Sequence, residues 1–119
     1  MEDILKKHKI AYKIIDKESN IKLLKINSKL HVLCIYNKNN KFTMERDYYE
    51  YLDGNSIPHS VFLKDTSTGR MYYLDFTRGF NWVKGCFESC DKDELFLGKQ
   101  VLNSEISEVQ LLSKLGRFF

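Results

Sequence analysis

The sequence predicts an α+β fold, a mainly antiparallel five- to six-stranded sheet covered by a C-terminal helix and shorter helices. Three observations predict it. Residues 60–76, SVFLKDTSTGRMYYLDF, place two runs of β-branched and aromatic residues around a cluster of turn formers, which is a β-hairpin pattern. Near the C-terminus, Ile106, Val109, Leu111, Leu112 and Leu115 recur at helical spacing. The remaining strand-like runs are joined by hairpin-length connections, which suit antiparallel neighbours.

Taken in order, residues 2–8 begin with Glu2 and Asp3 and end with Lys6 and Lys7, the charge order that favours a short helix. Residues 9–15 alternate, with Ile10, Tyr12 and Ile14 on one side and Lys9, Ala11 and Lys13 on the other, so they read as a strand. Residues 16–20, DKESN, read as the following turn. Two further strands are expected at 21–26 and 30–36, joined at Asn27-Ser28. In the second, both alternating sets are largely apolar, which predicts a central strand with Cys34 as a small buried hydrophobe. Residues 37–41 are a polar loop, and 44–52 read as a short helix stopped by Asp53-Gly54 ahead of Pro58.

In the hairpin, a loop at 66–69 pairs Asp65 with Arg70, and Gly69 supplies the positive φ that such a loop needs. That register puts Val61, Leu63, Tyr72, Leu74 and Phe76 on a core-facing side. Ser60, Phe62, Lys64, Met71, Tyr73 and Asp75 share the other, half-polar side. Residues 77–85 are punctuated by glycine, 88–94 are polar and 95–97 apolar. For the last helix, Asn103 or Ser104 is the expected cap, Lys114 and Arg117 the basic end, and Gly116 the C′ residue.

At 119 residues the chain is expected to form one domain, 1–119. No apolar run approaches the ~20 residues of a membrane span, and the charged start MEDILKKHK lacks a secretory core. Three cysteines without framework spacing fit a reducing, cytoplasmic setting. The charge is unevenly distributed. Residues 1–41 hold ten lysines against four acids, a balance of +6, whereas 42–119 hold nine basic against twelve acidic residues, a balance of −3. Lys9, Lys13, Lys22 and Lys29 therefore define a candidate polyanion face.

Catalytic patterns are incomplete. Asp53 and Lys64 stand at the separation used by metal-dependent nucleases, but Phe62 occupies the second acid's place and has no oxygen for Mg²⁺. Asp53, Asp65 and Asp75 remain as a degenerate carboxylate set. Cys86 and Cys90 form half of a zinc pattern without a second ligand pair, and His8, His31 and His59 are isolated in sequence. No phosphate-cradling glycine loop is present, so no cofactor is expected.

The segment 78–84 carries Arg78, Phe80, Trp82 and Lys84 on one face if extended, residue types enriched where proteins bind each other and where bases stack. The expectation is a small intracellular binding protein without enzymatic activity, of the inhibitor, adaptor or accessory kind that phages and mobile elements carry. A protein partner is favoured. The alternatives are nucleic-acid binding through the lysine face and the basic-aromatic segment, or a degenerate metal-dependent nuclease-like domain using Asp53, Asp65 and Asp75.

Overall fold

The computed structural model describes residues 1–18, 20–38, 42–54, 58–75, 82–85, 94–97 and 99–116. A short helix α1 (Glu2–Lys7) leads into the strands β1 (Tyr12–Glu18), β2 (Ile21–Ile26) and β3 (Leu30–Asn37). Then follow β4 (Thr43–Glu45), α2 (Arg46–Asp53) and the hairpin strands β5 (His59–Asp65) and β6 (Met71–Asp75). The chain continues with β7 (Trp82–Gly85), β8 (Glu94–Leu97), a 3-10 helix (Lys99–Ser104) and α3 (Glu108–Leu115).

Five strands form one sheet in the order β1-β2-β3-β5-β6, and β4-β8-β7 form a second, three-stranded antiparallel sheet. The fold is α+β, as the sequence predicts, but no six-stranded sheet forms among the described residues. The main sheet also contains one parallel pair, β3 with β5. A parallel pair needs a crossover, and the segment holding β4 and α2 supplies it.

Strand β3 is central and both of its faces are buried. Leu24, Ile26, Val32, Cys34, Phe62 and Tyr73 pack on the first face with Ile4 and Leu5 of α1 and Leu111 and Leu115 of α3. Ile21, Leu23, Leu33, Ile35, Val61, Leu63 and Tyr72 pack on the second face with Phe42, Tyr48 of α2 and Val101. The chain passes from one face to the other around the β6 edge. Glu105 bridges Tyr72, and the Ile106 amide donates to the Met71 carbonyl at 2.9 Å, which shields that edge.

The hairpin has the register expected of it. Asp65 donates its amide to the Arg70 carbonyl at 2.9 Å, Leu63 pairs with Tyr72, Val61 pairs with Leu74, and Gly69 has φ 77°. Its half-polar side, however, is not solvated: Phe62 is fully buried, because α3 covers that face.

Four other boundaries differ from expectation. Strand β1 starts at Tyr12, after Lys9 turns the chain with φ 56°, and runs on through Asp16, Lys17 and Glu18 because β2 pairs with them. A bulge at Ile15 breaks its alternation. Residues 43–45 are strand before α2 begins. The cap of α3 is Ser107, not Asn103 or Ser104: its hydroxyl accepts from the Gln110 amide while the Gln110 side chain accepts from the Ser107 amide. Val109 consequently turns outward and is 76% exposed, and Gly116 keeps a right-handed φ of −56°.

Candidate functional site

The β2–β3 turn builds one end of the main sheet. Asn27 and Ser28 take φ 51° and 58°, and the Lys29 amide donates to the Ile26 carbonyl at 3.0 Å. Positive φ at both central residues is the mirror-image turn whose twist suits a tight hairpin. Beside it, α1 ends at His8, Lys9 enters the left-handed region, and the Ile10 amide returns to the Leu5 carbonyl at 2.9 Å. The reversal brings Ala11 to the turn, where its carbonyl accepts from the Asn27 amide at 3.0 Å. Lys9, Asn27 and Ser28 are the non-glycine residues with positive φ among those described, and all three lie at this end. For lysine and serine the left-handed region costs about 1–2 kcal/mol each, and such outliers concentrate at functional sites.

Two clefts flank the bridge between Ala11 and Asn27. One, of about 510 Å³, is lined by His8, Lys9, Ile10, Ala11, Asn27 and Leu112. The other, of about 330 Å³, is lined by Tyr12, Lys13, Ile15, Lys25 and Ser28, together with the same Ala11 and Asn27. Among the described residues neither lining contains an acid. Lys29 lies in the β2–β3 turn, its amide on the Ile26 carbonyl.

Cross-strand pairing extends this basic end across the second face. Lys13 pairs with Lys25, Lys25 with His31, and His31 with His59, one residue from each of four adjacent strands. Of these pairs, Lys13 and Lys25 set like charges directly opposite each other, which is destabilising. His31 and His59 are buried at 2% and 5% exposure, and the Tyr51 ring lies 6.2 Å from that of His31. Burial, with Lys25 adding to it, holds the His31 imidazole below its ordinary pKa.

Of the lysines expected to form a polyanion face, Lys9 and Lys13 line separate clefts that share Ala11 and Asn27, Lys29 lies in the β2–β3 turn, and Lys22 does not join them. It lies on the first face and binds Glu2 at 3.0 Å, which holds the Glu2 carboxyl below its usual range. Lys25 takes its place, a residue that period-two alternation in IKLLKI would have put opposite Lys22. Of the segment expected to bind partners, Trp82 and Lys84 lie in β7, paired with Leu97 and Leu95. Arg78 and Phe80 lie outside the described residues, as do Cys86 and Cys90.

The carboxylates disperse. Asp65 is buried at the hairpin turn, where it accepts from the Ser67 amide at 2.9 Å. Asp75, at the other end of the same hairpin and on the other face, binds Lys114 at 3.0 Å. Asp53 ends α2. The described residues contain no group of three or more side chains placed to hold a metal ion. Cys34 is fully buried, and burial pushes its thiol up to about 12, well away from thiolate chemistry.

A third cleft, of about 370 Å³, has the opposite character. Asp16, Glu18 and Asp47 line it with Ile15, Leu23, Tyr48 and Tyr51, and the Tyr48 hydroxyl donates to Asp16 at 2.7 Å. Strand β1 thus presents lysine at one end and carboxylate at the other. Among the described residues no helix is long and apolar enough to cross a membrane. Comparison with family models, with curated proteins and with solved structures finds no match for this chain.

Proposed function

We propose that this chain is a binding module without enzymatic activity, and that it docks on an anionic macromolecular partner through the lysine-lined end of its main sheet. The observation that carries this reading is the lining of two clefts that share Ala11 and Asn27, by Lys9 in one and by Lys13 and Lys25 in the other, acid-free among the described residues, with Lys29 on the β2–β3 turn. Three other lysines, Lys7, Lys22 and Lys114, each hold a carboxylate within 3.2 Å. The dispersal of Asp65 and Asp75 and the inert Cys34 thiol speak against the hydrolytic and nucleophilic alternatives.

The test compares two variants of equal charge. Lys13→Gln/Lys25→Gln alters the basic end, and Lys17→Gln/Lys38→Gln removes the same charge elsewhere. Immobilised wild-type protein should retain a component of host extract that the first variant loses and the second keeps. Equal retention by all three proteins would overturn the reading.

A further inference from the structure

We infer that the partner is single-stranded nucleic acid, its phosphates held by Lys9, Lys13, Lys25 and Lys29 and its bases seated in the two clefts beside the Ala11–Asn27 bridge. This rests on the docking reading above and names the partner class. The first support is the layout of the charges. The four lysines come from four segments, the α1–β1 connection, β1, β2 and the β2–β3 turn: Lys9 lines one cleft, Lys13 and Lys25 line the other, and Lys29 lies on the turn itself. A discrete anion calls for converging donors, whereas a repeating polyanion is met by a track. This arrangement is a track.

The second support is the neutral chemistry between the charges. Asn27 and Ser28 stand exposed at the rim, and amide and hydroxyl side chains share with lysine the task of positioning phosphate and sugar. The strained backbone at these residues and at Lys9 is what carries them to the rim.

The third support decides between classes of polyanion. Each cleft is concave and has apolar or aromatic members, Ile10 and Leu112 in one and Tyr12 and Ile15 in the other. A duplex presents phosphates on a convex rod with its bases stacked inside, and the aspartate and glutamate side chains of a polyacidic chain have no flat apolar group to insert. Unpaired bases fill such hollows and stack on aromatic rings. Asp16, Glu18 and Asp47 around the third cleft repel phosphate, so the track ends part-way along β1 and the site is short.

Fluorescence anisotropy with a labelled oligothymidylate 12-mer tests this, beside the corresponding duplex and polyglutamate. Four phosphate contacts predict a log–log salt slope of about −2.8 for a single strand. Lys13→Gln/Lys25→Gln should reduce it to about −1.4 and weaken binding about tenfold or more near 0.1 M salt. Lys17→Gln/Lys38→Gln should keep the wild-type slope. Circular dichroism melts confirm that each variant is folded. Equal affinity for the duplex overturns the seating of bases, and equal competition by polyglutamate overturns the nucleic-acid class. If oligothymidylate fails to bind but Lys13→Gln/Lys25→Gln still loses its partner from nuclease-treated extract, the inference falls and the docking reading stands. If the two lysines affect neither measurement, both fall.

Discussion

Phe62→Ala tests whether α3 covers the first face of the sheet. Phe62 is fully buried between Cys34 and Tyr73 on the neighbouring strands, and the Tyr36 ring stands edge-on at 6.3 Å. Leu111 and Leu115 of α3, both fully buried, belong to the same cluster. Truncation removes a whole ring from a site closed on both sides, so the cost should be about 3–5 kcal/mol, part of it the lost aromatic pair. Leu63→Ala, on the second face, should cost about 2–5 kcal/mol. Urea unfolding followed by circular dichroism measures both, as a lower midpoint at unchanged slope. The melting temperature should drop by about 10–20 °C for Phe62→Ala. A loss below about 1 kcal/mol would refute the packing, since it is what a half-solvated phenylalanine on an uncovered face would give.

Three further outcomes follow from the same structure. His31, held neutral by burial with Lys25 and His59 as its register neighbours and Tyr51 beside it, binds a proton more readily unfolded than folded; stability should therefore be full above about pH 6.5 and fall as pH drops below it, and His31→Gln should flatten that decline in melts between pH 7.5 and 5.5. Lys13→Glu should replace a repulsive cross-strand pair with an attractive one and raise the stability of the free protein by about 0.2–1 kcal/mol while weakening its binding, a separation that a chemical melt and a binding assay read together. Trp82→Ala in β7, outside the residues that line the two basic clefts, should leave partner binding unchanged, whereas a loss of about 2 kcal/mol or more with an unchanged melting temperature would move the docking site to the basic-aromatic strand.

The elements legible in the sequence were those whose signals are local. The β5–β6 register follows from the turn at 66–69 and from Gly69, and the central place of β3 follows from its two apolar faces. Long-range pairing decided what was misread. Asp16, Lys17 and Glu18 look like turn residues, yet β2 holds them in a strand. The parallel β3–β5 pair leaves no local trace, because its crossover is a three-residue strand and a short helix. The Ser107–Gln110 box was present in the sequence, but the equally good caps at Asn103 and Ser104 stand on the preceding 3-10 helix. The candidate site was half visible: a surplus of lysine in the first third pointed to it. Its location needed the Ala11–Asn27 contact, and Lys25 needed the pairing across three strands.

The docking claim is tested most directly by mapping amide chemical shifts while the ¹⁵N-labelled protein is titrated with short-chain polyphosphate. The account predicts shifts concentrated at residues 8–13 and 25–31, which surround the two basic clefts. Those of Asp16, Glu18 and Asp47, around the acidic cleft, should stay still. Shifts centred on 82–85, or spread evenly over every exposed lysine, would contradict it.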